Sequence, residues 1–131
     1  MDWQIETISE KDVLKYFDAN TFLTQRLIKL IHPLLKKQKD SIAVFVSDNT
    51  KKTNKKFLGI HNAIQAANKE IVMSYSEETL RIGPKVLLFE PLPMPTKTRS
   101  IMFPGENKKK LSSCIEEANK LIKLLIDNIK N

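Results

Sequence analysis

The chain has 131 residues and 15.1 kDa, with 41% hydrophobic and 28% charged residues, which suits one globular domain over 1–131 and excludes a disordered or low-complexity polymer. Lys and Arg total 22 against 15 Asp and Glu, a formal charge of +7 with a pI near 9.5, so polyanions and acidic surfaces are the natural partners. The one cysteine, Cys114, excludes an internal disulfide framework, and no apolar run approaches the roughly 20 residues needed to cross a bilayer.

Ser9-Glu10-Lys11-Asp12 matches a capping box, and Val13, Leu14 and Phe17 follow at helical spacing, predicting a short helix over about 10–18. A second helix is predicted from about 21 to 35, where Leu23, Leu27, Leu30, Ile31 and Leu34 recur at three- and four-residue steps as one apolar face. Pro33 removes a donor inside that pattern and crowds the preceding turn, so a kink or restart is expected there. Lys36, Lys37 and Lys39 suit the helix C-terminus. Residues 41–47 form the clearest strand, β-branched and apolar on both faces, and expected to be central and covered on both sides.

Residues 57–68 leave two readings open. Ile60, Ala63, Ile64 and Ala67 fit a short amphipathic helix, whereas Phe57 and Leu58 could belong to it or to an extended piece before Gly59. Ile71, Met73 and Tyr75 alternate, predicting a strand over 70–76; 86–89 makes another, with 77–83 as a wide hairpin turn. Pro91, Pro93 and Pro95 stiffen a loop, and 98–103 reads as a fourth strand ended by Pro104-Gly105. The closing helix is the best defined. Leu111, Ile115, Ala118, Ile122, Leu125 and Ile129 step by four and three, widened by Cys114 and Leu121. Ser113 and Glu116 form a second capping box, and Glu116–Lys120 is a supporting i, i+4 pair. This stripe is expected to pack on the sheet.

The order of elements predicts an α+β fold, a two-layer sandwich with a mostly antiparallel sheet of about four strands, N-terminal helices and a long C-terminal helix. A crossover helix at 60–68 would instead make the first two strands parallel.

Catalytic signals are weak. His32 and His61 are far apart, with no metal-ligand spacing to each other or to Cys114, and each is read as a structural or surface histidine. Cys114 lies on the closing helix stripe and is read as packed core. Gly59, Gly83 and Gly105 stand alone, unlike the glycines of a phosphate-cradling loop. The carboxylate pairs Glu77-Glu78 and Glu116-Glu117 are read as solvated faces. No cofactor is expected, and the chain reads as a binding module; a pocket holding His32 or His61 beside a carboxylate would reopen the question of an enzyme.

The functional signal is the set of lysine clusters: Lys36, Lys37 and Lys39; Lys51, Lys52, Lys55 and Lys56; Lys97 with Arg99; and Lys108, Lys109 and Lys110. All are expected in loops or at element ends, where they can reach a phosphate backbone. Tyr75, Phe89 and Phe103 suit the core better than base stacking, which favours backbone and shape recognition of RNA. The expected site is therefore Lys51, Lys52, Lys55, Lys56, Lys97, Arg99, Lys108, Lys109 and Lys110. The alternative is a protein-interaction or dimerisation subunit, since the seam along 111–129 suits a partner helix as well as a sheet. Met1-Asp2-Trp3-Gln4 lacks the basic and apolar regions of a signal peptide, so an intracellular, cytoplasmic or nuclear setting without membrane insertion is expected.

Phe22-Leu23-Thr24 opening a helix, the strand at 41–47, the basic loop at 51–56, the strands at 85–90 and 99–103 and the closing helix together resemble the small Alu-domain subunits of the signal recognition particle, especially the fourteen-kilodalton one. The resemblance covers about half the chain as a pattern of element types. It implies a helix–strands–helix fold, pairing with a sister subunit and RNA contact through Lys51, Lys52, Lys55, Lys56, Arg99 and Lys108–Lys110. The extra first helix, the long 57–76 segment and the missing basic tail depart from that family.

Overall fold

The computed structural model describes residues 4–48 and 56–129. Their order is α1 (Glu10–Phe17), a π-helical turn (Asp18–Phe22), α2 (Leu23–Leu35), β1 (Ile42–Val46), α3 (Gly59–Thr79), β2 (Lys85–Phe89), α4 (Lys97–Met102), a 3-10 turn (Lys108–Lys110) and α5 (Cys114–Ile129). The chain divides into two compact units, Met1–Phe89 and Glu90–Asn131.

The first unit begins as the capping residues dictate. The Ser9 hydroxyl accepts from the Asp12 backbone N–H at 3.1 Å and starts α1. The π turn then leads into α2 without a break in helical backbone. Its extra residue is accommodated by local side-chain bonds: Asn20 donates to the Tyr16 carbonyl at 2.9 Å and Thr24 to the Asn20 carbonyl at 2.8 Å. Pro33 neither ends nor restarts α2, which runs on to Leu35. It falls near the C-terminal end, so one missing hydrogen bond is tolerated.

The expected mostly antiparallel, four-stranded sandwich is not the fold. Most of the described chain is helical, and β1 pairs with β2 alone, in parallel, from Ile42 opposite Lys85 to Val46 opposite Phe89. The reason is α3, a 21-residue helix that absorbs the expected strand at 70–76 and forms the crossover that a parallel pair requires. Its buried residues Ile64, Val72, Tyr75 and Thr79 follow helical steps, and Ala63, Ala66 and Ala67 supply helix propensity. The expected hairpin at 77–83 is the exit from this helix, where Gly83 N–H donates to the Thr79 carbonyl at 3.0 Å. The other expected strand, at 98–103, is α4, started by the Thr96 hydroxyl accepting from the Arg99 backbone N–H at 3.2 Å. Among the described residues β1 is consequently one of two strands and not a central one.

The core of this unit is Ala43 of β1, Val86 of β2 and Val72 and Tyr75 of α3, with Ile28 and Leu35 of α2 and Phe45 and Leu88 packed against it. Fully burying a side chain such as Val72 contributes about 1.5–3 kcal/mol. A polar clasp holds the end of β1 to α3: Ser47 donates to Gln65 Oε1 at 3.2 Å, and His61 Nε2 lies 3.1 Å from Asp48 Oδ2.

The second unit relies on polar anchors. Arg99 donates to both Glu106 oxygens at 2.7 Å, and Ser112 N–H donates to the Pro93 carbonyl at 3.0 Å. The Ser113 capping box of α5 forms in both directions, each bond 3.1 Å. Glu117, expected on a solvated face, is only 2% exposed. It accepts from the Leu92 backbone N–H at 3.0 Å, Ser112 Oγ at 2.6 Å and Lys120 Nζ at 2.6 Å. The close ion pair on α5 is Glu117–Lys120 at i, i+3, while the Lys120 charge also acts on the Glu116 carboxylate. Ile115, Ile122, Ile126 and Ile129 are exposed, so much of the stripe expected to pack on a sheet is uncovered within its own unit.

Candidate functional site

The expected lysine site resolves into pieces. Lys51, Lys52 and Lys55 lie outside the described residues. Lys56 is exposed, its ammonium 5.0 Å from the centroid of the Phe57 ring. Lys97 and Arg99 lie on α4, not in a loop, and Arg99 is committed to Glu106 while stacking 4.7 Å from the Phe103 ring centroid. Its guanidinium holds the Glu106 carboxyl below the ordinary value of 4.5. Lys108, Lys109 and Lys110 fill one exposed 3-10 turn capped by the Asn107 side chain. Lys97 and Lys108–Lys110 thus share the second unit, whereas Lys56 belongs to the first.

His32 occupies a cleft of about 390 Å³ between α2 and the end of α3. Its Nδ1 shares a hydrogen bond with the Tyr75 hydroxyl at 3.0 Å, and Lys29, Lys36, Glu78 and Thr79 also line the space. Burial first, and the Glu78 carboxylate second, push the Tyr75 phenol above its ordinary value of 10.0. The cleft sets His32 and Glu78 in one lining, the condition for reconsidering an enzyme. Among the described residues, though, the two share no hydrogen bond or ion pair, and Glu78 accepts from Ser74 at 3.2 Å. His61 is paired with Asp48, and Cys114 is exposed at the start of α5, not packed in the core. Among the described residues no group of His, Cys, Asp and Glu is arranged to hold a metal ion, and no helix is long and apolar enough to cross a membrane.

The leucine stripe of α2, one apolar face in the sequence, lies largely outside the core. The face that meets the core carries Ile28 and Leu35. Leu23, Leu27, Leu30 and Leu34 point away, at 46%, 44%, 69% and 62% exposure, and Phe22 just before them is also exposed. The helix therefore has two apolar faces, one consumed by the fold and one left over. Residues 19–39 contain no Asp or Glu but include Arg26, Lys29, Lys36, Lys37 and Lys39. Arg26 is tied to Asp18 at 2.9 Å, while none of these lysines is ion-paired among the described residues. The sequence stripe 23/27/30/31/34 is one apolar face, Ile31 being half-buried, and the core takes the other apolar positions, Ile28 and Leu35.

No protein-family model, curated protein or solved structure matches the chain.

Proposed function

We propose that this chain is a non-enzymatic protein-docking module whose principal contact surface is the outward leucine face of α2. The observation that carries the reading is the exposure of Leu23, Leu27, Leu30 and Leu34 on a helix whose opposite face already fills the core. A contiguous apolar patch of this kind on a stable domain marks an interaction surface more often than an accident of folding. The isoleucines of α5 are a second such row on the other unit.

The test is the unfolding free energy of the Leu27→Gln/Leu30→Gln variant of the full chain. Gln matches Leu closely in helix propensity. Each change at a truly outward position should alter stability by no more than about 0.5 kcal/mol. A loss of about 2–5 kcal/mol per leucine would mean that the chain itself covers this face, and the reading would fall.

Nucleic-acid binding, with RNA preferred, is the second reading. It is supported by Lys97 and the Lys108–Lys110 turn, exposed in one unit and without ion pairs among the described residues. Each phosphate contact should add about 0.7–0.9 to the log–log slope of affinity against salt. A salt-independent titration with a mixed-sequence RNA would eliminate it.

A further inference from the structure

We infer that the cleft between α2 and the end of α3 is a binding site for a small carboxylate, one anionic head on an apolar body. The site goes beyond the docking surface, because it opens on a different face of α2. Lys29, His32 and Lys36 step by three and four, so they share that face, apart from the exposed leucines. The cleft has a volume of about 390 Å³, within the range of about 300–1,000 Å³ usual for sites that take small molecules.

Its floor is largely apolar. Tyr75 and Thr79 are buried, Ile28 is half-buried, and the Thr79 hydroxyl is turned to the backbone, donating to the Tyr75 carbonyl at 3.0 Å. Ile82 also lines the cleft at 75% exposure, apolar surface that the fold leaves open to a ligand. His32 is held through Nδ1 by the Tyr75 hydroxyl at 3.0 Å. With that hydroxyl donating, the neutral ring carries its proton on Nε2, a donor that has no hydrogen bond among the described residues. An apolar lining with a few fixed polar groups is the usual make-up of a small-molecule site.

Charge selects the head group. Lys29 and Lys36 are exposed, and neither forms an ion pair among the described residues. Glu78 is the one carboxylate among the described residues of the lining. Two ammonium groups against one carboxylate, with His32 neutral, leave one positive charge, which a monoanion balances. Glu70 lines the adjoining hollow, which shares Ile28, Lys29, Tyr75 and Glu78 with the cleft. The carboxylates at that end repel an anion, so the head is directed to Lys36 and His32 and the apolar body to Tyr75 and Ile82.

The probe is phenylbutyrate, titrated into the full chain and followed by NMR through the His32 ring resonances. Phenylbutylammonium, with the same body and the opposite charge, and acetate, with the head alone, are the controls. Phenylbutyrate should bind with a dissociation constant of about 1–10 mM, at least about tenfold more tightly than either control. Lys29→Gln/Lys36→Gln should weaken it at least about fivefold, and Glu78→Gln should tighten it. Two variants outside the cleft, Lys108→Gln/Lys109→Gln/Lys110→Gln and Leu27→Gln/Leu30→Gln, should leave the affinity unchanged, which separates this site from general charge attraction and from the docking face. Equal affinity for the carboxylate and the ammonium overturns the inference, as does acetate binding as tightly as phenylbutyrate. So does an affinity that the two cleft lysines do not alter, or that the leucine variant abolishes. His32 resonances that stay in place up to about 20 mM probe, above the expected dissociation constant, overturn it as well.

Discussion

Glu117 shows how much a single side chain organises here. It joins the proline-rich segment at Leu92, the loop at Ser112 and the helix at Lys120. Lys120 foremost, then the Ser112 hydroxyl and the Leu92 N–H, hold its carboxyl down at about 2 against an ordinary value of 4.5. Glu116 is also lowered, chiefly by the Ser113 backbone N–H, and Glu106 by Arg99. A carboxyl lowered by folding stabilises above its unfolded value and loses that contribution as the pH falls through its folded one. Acid titration followed by circular dichroism should therefore show stability falling from about pH 4.5 towards about 2. Glu117→Gln should be less stable at neutral pH and should flatten the lower part of that decline; an unchanged acid profile would show that Glu117 is not the anchor. Nothing in the sequence distinguishes Glu117 from Glu116, because the groups that select it arrive from 25 and 5 residues away.

Gly83 is a second residue with a defined constraint. A Cβ there would meet the Thr79 Cβ at 2.7 Å, and Thr79 is buried with its hydroxyl bonded to the Tyr75 carbonyl. Gly83→Ala should cost about 1–3 kcal/mol in urea unfolding, as overpacking does. A neutral effect would mean that the α3–β2 turn yields easily.

At the scale of elements, capping was the legible signal. Ser9 and Ser113 start α1 and α5 where the sequence places them, and Ser113→Ala should cost about 1 kcal/mol of stability, measured by thermal unfolding. Thr96 caps α4 by the same device, but the β-prone residues of 98–103 suggest a strand, and six residues are too few for a period to decide. α3 was misread for a related reason. Ile71, Met73 and Tyr75 alternate within a short window, yet over the whole 21 residues the buried positions keep helical steps, and Met73 is exposed. For α2 the helix was legible and its orientation was not. Periodicity reports that a face is apolar, and tertiary contacts decide whether that face is the core or the surface.

At the scale of the whole molecule, one long helix changes the fold. Once 59–79 is helical, the strands on either side of it pair in parallel through a crossover, and the antiparallel sandwich has no strands left to build it. The chain falls into two compact units, the second made of α4, a 3-10 turn and the 16-residue α5 and pinned by Arg99–Glu106 and Glu117. The expected lysine site spreads over both units, with Arg99 already committed to an ion pair. The charge is likewise dispersed, with Lys29 and Lys36 lining the His32 cleft and Lys108–Lys110 on the second unit. The outward surface of α2 is instead defined by its exposed leucines, Leu23, Leu27, Leu30 and Leu34.

Thiol accessibility tests that surface most directly. In a Cys114→Ser background, Leu30→Cys and Leu34→Cys should react with a thiol reagent close to the rate of an unfolded peptide, while Val72→Cys, at a position 3% exposed, should react at least about tenfold more slowly. Protection of Leu30→Cys equal to that of Val72→Cys would show that the leucine face of α2 is covered within the chain, and would contradict the account.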